Sequence, residues 1–102
     1  LKEAEQIERR IPEGSAVAAF CVEGESLSSE GFSALISKNT YCGKNMCFII
    51  GSSYGLADVL KQRADFRISM SEMTCPHQLF RIMCLEQIYR SFKIIEGSTY
   101  HK

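Results

Sequence analysis

Nowhere does this chain string together the roughly 20 apolar residues that a membrane-spanning helix needs. No signal peptide is read at its start, so no membrane partner is expected. Net charge is absent as well, with 12 Lys and Arg against 12 Asp and Glu. A protein that grips nucleic acid by bulk electrostatics is usually basic, so an RNA or DNA partner would have to be held by local patches or by shape. No CxxC pair occurs among the five cysteines, Cys21, Cys42, Cys47, Cys75 and Cys84. The Cys42–Cys47 spacing is a poor match to zinc ligation, and no histidine stands near it. Cys21, Cys47 and Cys84 lie in apolar runs, where a free thiol behaves as a small buried hydrophobe. All five are expected to be reduced thiols of a cytoplasmic protein that holds no metal. Internal repeats and low-complexity segments are missing too.

What is present is a chain of 102 residues, 45% of them hydrophobic, which fits one domain over residues 1–102. From Leu1 to Ile11 apolar residues recur at helical spacing, and Pro12 with "PEGS" turns the chain. "SAVAAFCV", Ser15 to Val22, is apolar without alternation, as expected of a strand covered on both faces. "EGES" reads as a turn. Ser28 can cap a helix whose first turn carries Glu30 and which fades at Lys38–Asn39. "YCGKN" reads as a loop, "NMCFII" (Asn45 to Ile50) as a second buried strand, and Leu56 to Ala64 as a helix. "DFRISM" alternates Phe66, Ile68 and Met70 against Arg67 and Ser69, a strand with one face less buried. A long helix then runs to about Ile95. Strands alternating with helices predict an α/β fold, a parallel sheet flanked by helices. Ligands of such sheets bind beyond the carboxyl ends of the strands, which selects the loops after Val22, Ile50 and Met70.

"GSSYG", which follows the second strand, is neither a Walker A loop nor a GxGxxG loop. Gly51 does allow a ligand close to the backbone, although a glycine after a strand is more often just a tight turn. The last helix says more. Ile82, Leu85, Ile88, Tyr89, Phe92 and Ile95 fall on one arc, joined by Cys84 and expected to be buried, while Glu86, Arg90 and Lys93 oppose it. Glu86 can pair with Arg90 one turn on. His77, Gln78 and Arg81 open the helix on the apolar arc, and a buried Arg is costly unless it is paired or faces a wet cleft. Pro76 suits the first helical position. Arg81 is thus either a site residue or a cap for loop carbonyls, and His77 either a site residue or a structural histidine. Leu79, Met83 and Ile94 add apolar surface on the other side, so a second subunit is expected to cover one face, making a homodimer. The cations Lys61, Arg63, Arg67, Arg90 and Lys93 form either an RNA-facing patch or a merely solvated surface.

With "VEGESLSSEGF", "FIIGSSYGL" and "SEMTCPHQLFRIMCLEQIYRSFKIIEGSTYHK" in view, the sequence closely resembles a family of small SPOUT-class methyltransferases that modify a pseudouridine of large-subunit ribosomal RNA. The match runs over nearly the whole chain, and the loop ending in Pro-His-Gln and the Tyr-His-Lys tail carry it most specifically. The resemblance implies a C-terminal trefoil knot, a homodimer, and S-adenosyl-L-methionine as cofactor. It also implies methyl transfer to N3 of the pseudouridine within the assembled ribosome. By position, Phe20, Gly51, Met70, Ser71, Glu72, Met73, Thr74 and Cys75 would hold the cofactor. His77 and Arg81 from one subunit, with Tyr100 and His101 from the other, would face the target base. Family members carry a further strand–helix–strand ahead of the position matching Leu1, which is expected to be missing here. If it is absent from the molecule, the alternative reading is a truncated, non-catalytic SPOUT-like dimer that binds RNA or ribosome.

Overall fold

The computed structural model describes residues 2–50, 58–70 and 75–97. Its elements are α1 (Lys2–Arg10), β1 (Ala16–Ser26), α2 (Ser29–Tyr41), β2 (Met46–Ile50), α3 (Asp58–Arg63), β3 (Phe66–Ser69) and α4 (His77–Ile95). The strands form one sheet in the order β2-β1-β3, and both pairings are parallel. Central β1 explains the unbroken apolar run, since Ala16 to Phe20 are all buried and alternate between two cores. Val17 and Ala19 join Ile49, Leu60 and Ala64, with Ile7 and Ile11 of the N-terminal segment packed against them. Ala18 and Phe20 join Phe32, Ile36, Ile68 and Cys84 on the opposite face. Phe20, Phe32 and Phe48 form an aromatic trio there, with ring centroids 5.8 to 6.3 Å apart.

Two contacts tie β1 to the turn ahead of β3. The Asp65 carboxylate accepts from the Val17 amide at 2.8 Å, and the Asp65 amide donates to the Val17 carbonyl at 2.8 Å. Ser28 caps α2 as its sequence position predicts, its Oγ accepting from the Gly31 amide at 2.9 Å. α2 runs on past Lys38–Asn39 to Tyr41, with Asn39 and Thr40 side chains bonded back to carbonyls of the preceding turn.

Three expectations are corrected. "EGES" is not a turn: Glu25 and Ser26 belong to β1 and pair with Ile68 and Ser69 after a register shift that begins at Phe20. Gly24 permits the close approach of the two backbones there, because a side chain would run into the backbone of Arg67 and Ile68. Pro76 is the N-cap of α4 rather than its first residue, and it supplies no side-chain cap. The third correction concerns the buried arc of α4. Ile82 (62% exposed), Leu85 (56%), Tyr89, Phe92 and Ile95 face solvent in the single chain. The packed face is instead Phe80, Cys84, Ile88 and Ser91, with Cys84 and Ser91 fully buried. Small residues at those two positions let α4 lie close on α2, since the separation of packed helices follows the side chains at the contact. Cys84 and Ile88 of the expected arc are thus packed as read, whereas Leu79 and Met83, expected on the other side, are exposed too.

The trefoil knot implied by the resemblance is not visible among the described residues, which leave out 51–57, 71–74 and 98–102. None of the described helices is long and apolar enough to cross a membrane. All five cysteines carry free thiols, in agreement with the sequence reading.

Candidate active site

Phe20 of β1 stands in register between Ile50 of β2 and Ile68 of β3. The chain therefore leaves β2 after Ile50 and β3 after Ser69 on either side of the point where β1 changes register. This is the carboxyl edge of the sheet, where open parallel sheets receive their ligands. Directly behind it lies a cavity of about 300 Å3 lined by Phe20, Leu27, Ser28, Ser29, Phe32, Ile68, Ser69, Met70 and Gln87.

Of the residues expected to hold a cofactor, Phe20 and Met70 are brought together on this cavity. Cys75 is half-buried two residues ahead of α4. Gly51, Ser71, Glu72, Met73 and Thr74 lie outside the described residues. Of the expected catalytic residues, Arg81 sits one turn into α4 and is exposed. The desolvation cost argued from a buried arc does not arise in this chain, because its neighbours Ile82 and Leu85 are exposed as well. His77 is the first residue of α4, and its side chain lies outside the described residues, as do Tyr100 and His101.

The site also has residues that spacing did not single out. Gln87 lies on the half-buried part of α4, and its Oε1 accepts from Ser29 Oγ at 2.7 Å, a bond between residues 58 apart in the chain. Ser69 is 4% exposed, and its Oγ has no hydrogen-bond partner among the described residues. Neither feature has a local sequence signal: Gln87 reads as one polar residue among several on a helix, and Ser69 as the solvent side of an alternating strand.

The cations proposed for an RNA patch are largely engaged close to home. Lys61 pairs with Glu23 at 3.0 Å, which raises the lysine's pKa, while the Glu23 carboxyl is lowered, first by a backbone hydrogen bond and then by Lys61. Arg67 Nη1 donates to the Lys61 carbonyl at 2.8 Å. Arg90 grips Glu86 through Nε and Nη2, both at 3.1 Å, as their spacing predicts. Lys93 lies 3.8 Å from Glu96 and over the Tyr89 ring. Cys84 is no nucleophile: burial, with Cys75 nearby, pushes its thiol up to about 12.

Comparison with known proteins agrees with this geometry. A family model described as "Predicted SPOUT methyltransferase" matches residues 1–101. Curated relatives include the ribosomal RNA large subunit methyltransferase H of Caldicellulosiruptor saccharolyticus, 52% identical over 101 residues, and that of Carboxydothermus hydrogenoformans, 51% identical over 102. The protein of the same name from Streptococcus pyogenes is 48% identical over 102 residues. These alignments cover 99% of this chain but 66% of the first relative and 64% of the other two. The parallel sheet, its carboxyl-edge cavity and the match over residues 1–101 lead to one conclusion: the chain belongs to the SPOUT methyltransferase family.

Proposed function

We propose that this chain catalyses methyl transfer from S-adenosyl-L-methionine to N3 of a pseudouridine in large-subunit ribosomal RNA, within the assembled ribosome, as a cytoplasmic homodimer. The observation that carries the reading is the cavity that Phe20 of β1 shares with Ile68, Ser69 and Met70 at the carboxyl end of β3, in a chain of a methyltransferase family. The names of the relatives supply the substrate class.

The residues present fit the cofactor. Phe20 and Met70 offer apolar surface beside the neutral polar side chains of Ser28, Ser29 and Gln87. When bound, S-adenosyl-L-methionine supplies an electrophilic methyl group, so the protein's main task is to hold donor and acceptor in line. In this reading Phe20, Gly51 and Met70 through Cys75 bind the donor. The N3 proton has to leave, helped by a base that takes it or a cation that stabilises the charge left behind; His77, Arg81 and the partner's tail residues are the candidates, Arg81 as the cation. Arg81 is well placed for this because it is exposed one turn from the start of α4 and its cation can stabilise negative charge developing on the base. A second copy is the proposed cover for the exposed apolar face of α4, formed by Leu79, Ile82, Leu85, Tyr89 and Phe92.

Arg81→Ala tests the role of the site. Methyl transfer to ribosomes lacking the modification is expected to fall on the order of 10²-fold, with cofactor affinity nearly unchanged. Equal losses in both would make Arg81 a structural residue. Removing Tyr100 to Lys102 is expected to leave the dimer intact while turnover drops, and unchanged turnover would take the tail out of the site. A folded dimer that bound ribosomes but transferred no methyl group would establish the non-catalytic alternative.

A further inference from the structure

Tyr41 is 92% exposed, so its ring adds almost nothing to the core of the chain. A single exposed aromatic is ordinary on a protein surface; what sets Tyr41 apart is its company. It is the last residue of α2, and Lys38, three residues back, is its neighbour on the helix surface. Both are exposed and lie off the buried stripe of Phe32, Ser33 and Ile36. The turn after α2 brings Lys44 back towards them. Gly43, at a φ of 86°, donates its amide to the Thr40 carbonyl at 3.0 Å, and the Lys44 amide donates to the Asn39 carbonyl at 3.2 Å. Arg63 ends α3, and its charge is felt at Cys47 of β2, where burial raises the thiol's pKa and Arg63 offsets part of the rise.

These residues lie at the amino edge of the sheet. β2 and β3 begin directly after the turns that follow α2 and α3, and the Ala16 amide donates to the Asn45 carbonyl at 2.8 Å where β1 and β2 start. Glu30 and Asp58 open the same two helices at the opposite edge, so the zero net charge of the chain conceals an uneven distribution. A basic residue in a last helical turn complements the helix dipole, which accounts for Lys38 and Arg63 without any ligand. It does not account for Lys44, which lies past the end of α2, or for the ring of Tyr41. Lys38, Lys44 and Arg63 are exposed and make no ion pair among the described residues, unlike Lys61, Arg90 and Lys93. Of the acids at this edge, Asp65 already accepts from the Val17 amide, and Glu13 is exposed in the turn ahead of β1. Cations set about an exposed aromatic ring are the chemistry that holds single-stranded nucleic acid: the ring stacks a base and the cations neutralise phosphates.

We propose that Tyr41, with Lys38, Lys44 and Arg63, forms an RNA contact at the amino edge of the sheet, where the ring stacks one unpaired base remote from the proposed site of methyl transfer. It rests on the function given above only for the identity of that RNA as ribosomal. The test is fluorescence anisotropy of a labelled, unstructured single-stranded RNA, from low to rising salt, with the unsubstituted chain and with Tyr41→Ala, Tyr41→Phe and Lys44→Gln. Unfolding temperature and S-adenosyl-L-methionine binding are recorded for each. Both are expected to stay unchanged in every variant, because the substituted side chains are exposed and lie at the other edge. Tyr41→Ala is expected to bind the RNA at least about fivefold more weakly, the loss of one stacked base. Tyr41→Phe keeps the ring and should bind as the unsubstituted chain does. Lys44→Gln should make the log–log salt slope shallower by about 0.7, one phosphate fewer on a single strand. Equal RNA binding by Tyr41→Ala, or no RNA binding by the unsubstituted chain at low salt, overturns the proposal, and cofactor binding in the same samples decides the methyltransferase reading separately. Ribosome binding that falls in Tyr41→Ala while free RNA binds as before would make this a protein-docking surface and overturn the proposal as well.

Discussion

At Gly24 a β-carbon would sit 2.6 Å from the carbonyl carbon of Arg67 and 2.6 Å from the amide nitrogen of Ile68. Both are backbone atoms of β3, which cannot swing aside as a side-chain tip can. Gly24→Ala is therefore expected to cost about 1–3 kcal/mol, the usual range for overpacking, read as a lower urea midpoint; an unchanged midpoint would mean that the β1 register shift relaxes freely. Cys84 gives a second test at this scale. Burial raises its thiol from an ordinary 9.0 to about 12, so below pH 9 both folded and unfolded chains keep the proton and nothing is lost. As pH rises from 9 towards 12 the unfolded chain ionises first, and stability falls. Alkylation near pH 8.5 should accordingly modify exposed Cys42 at once and Cys84 only on unfolding; equal rates would refute the buried assignment. Features of single residues were legible in the sequence where the partner is local, as with the Ser28 cap and the Glu86–Arg90 pair. Ser69 and Gln87 were not, because their significance depends on elements brought together from 58 or more positions away in the case of Ser29 and Gln87, and on burial by the fold in the case of Ser69.

Among the elements, α4 bears most on the proposed assembly. Its 19 residues carry one face that is packed through Cys84 and Ser91, and a second apolar face that is exposed among the described residues. The arc expected to be buried mixes the two, since its Cys84 and Ile88 are packed while Ile82, Leu85, Tyr89, Phe92 and Ile95 are exposed. Ser91 reads as polar by type, yet it is fully buried where α4 approaches α2. The two faces predict opposite outcomes. Leu85→Glu, on the open face, should leave the monomer folded and weaken self-association by at least about tenfold in sedimentation equilibrium. Cys84→Phe should unfold or loosen the domain itself, because it forces a ring between α2 and α4. A Leu85→Glu protein that dimerised as before would show that the second copy docks elsewhere. β1 was underestimated for a related reason: "EGES" has turn composition, and only the pairing of Glu25 and Ser26 with β3 makes it strand.

For the whole molecule, alternating strands and helices gave the parallel α/β class, and the rule that ligands bind at carboxyl ends points to the edge where Phe20 and Met70 line a cavity. The order β2-β1-β3 was not available from the sequence, because spacing does not say which strand lies between the others. Zero net charge and the local engagement of Lys61, Arg67, Arg90 and Lys93 bear on how RNA would be held. A log–log plot of ribosomal RNA affinity against salt should have a slope shallower than about −3, the mark of roughly three neutralised phosphates. A much steeper slope would mean that those cations leave their partners for the RNA. The most direct test of the methyltransferase reading is calorimetric titration of the chain with S-adenosyl-L-methionine, with folding and dimerisation checked on the same sample. Saturable binding in the micromolar range is the predicted result; a folded dimer that gave no binding heat at any accessible concentration and temperature would contradict it.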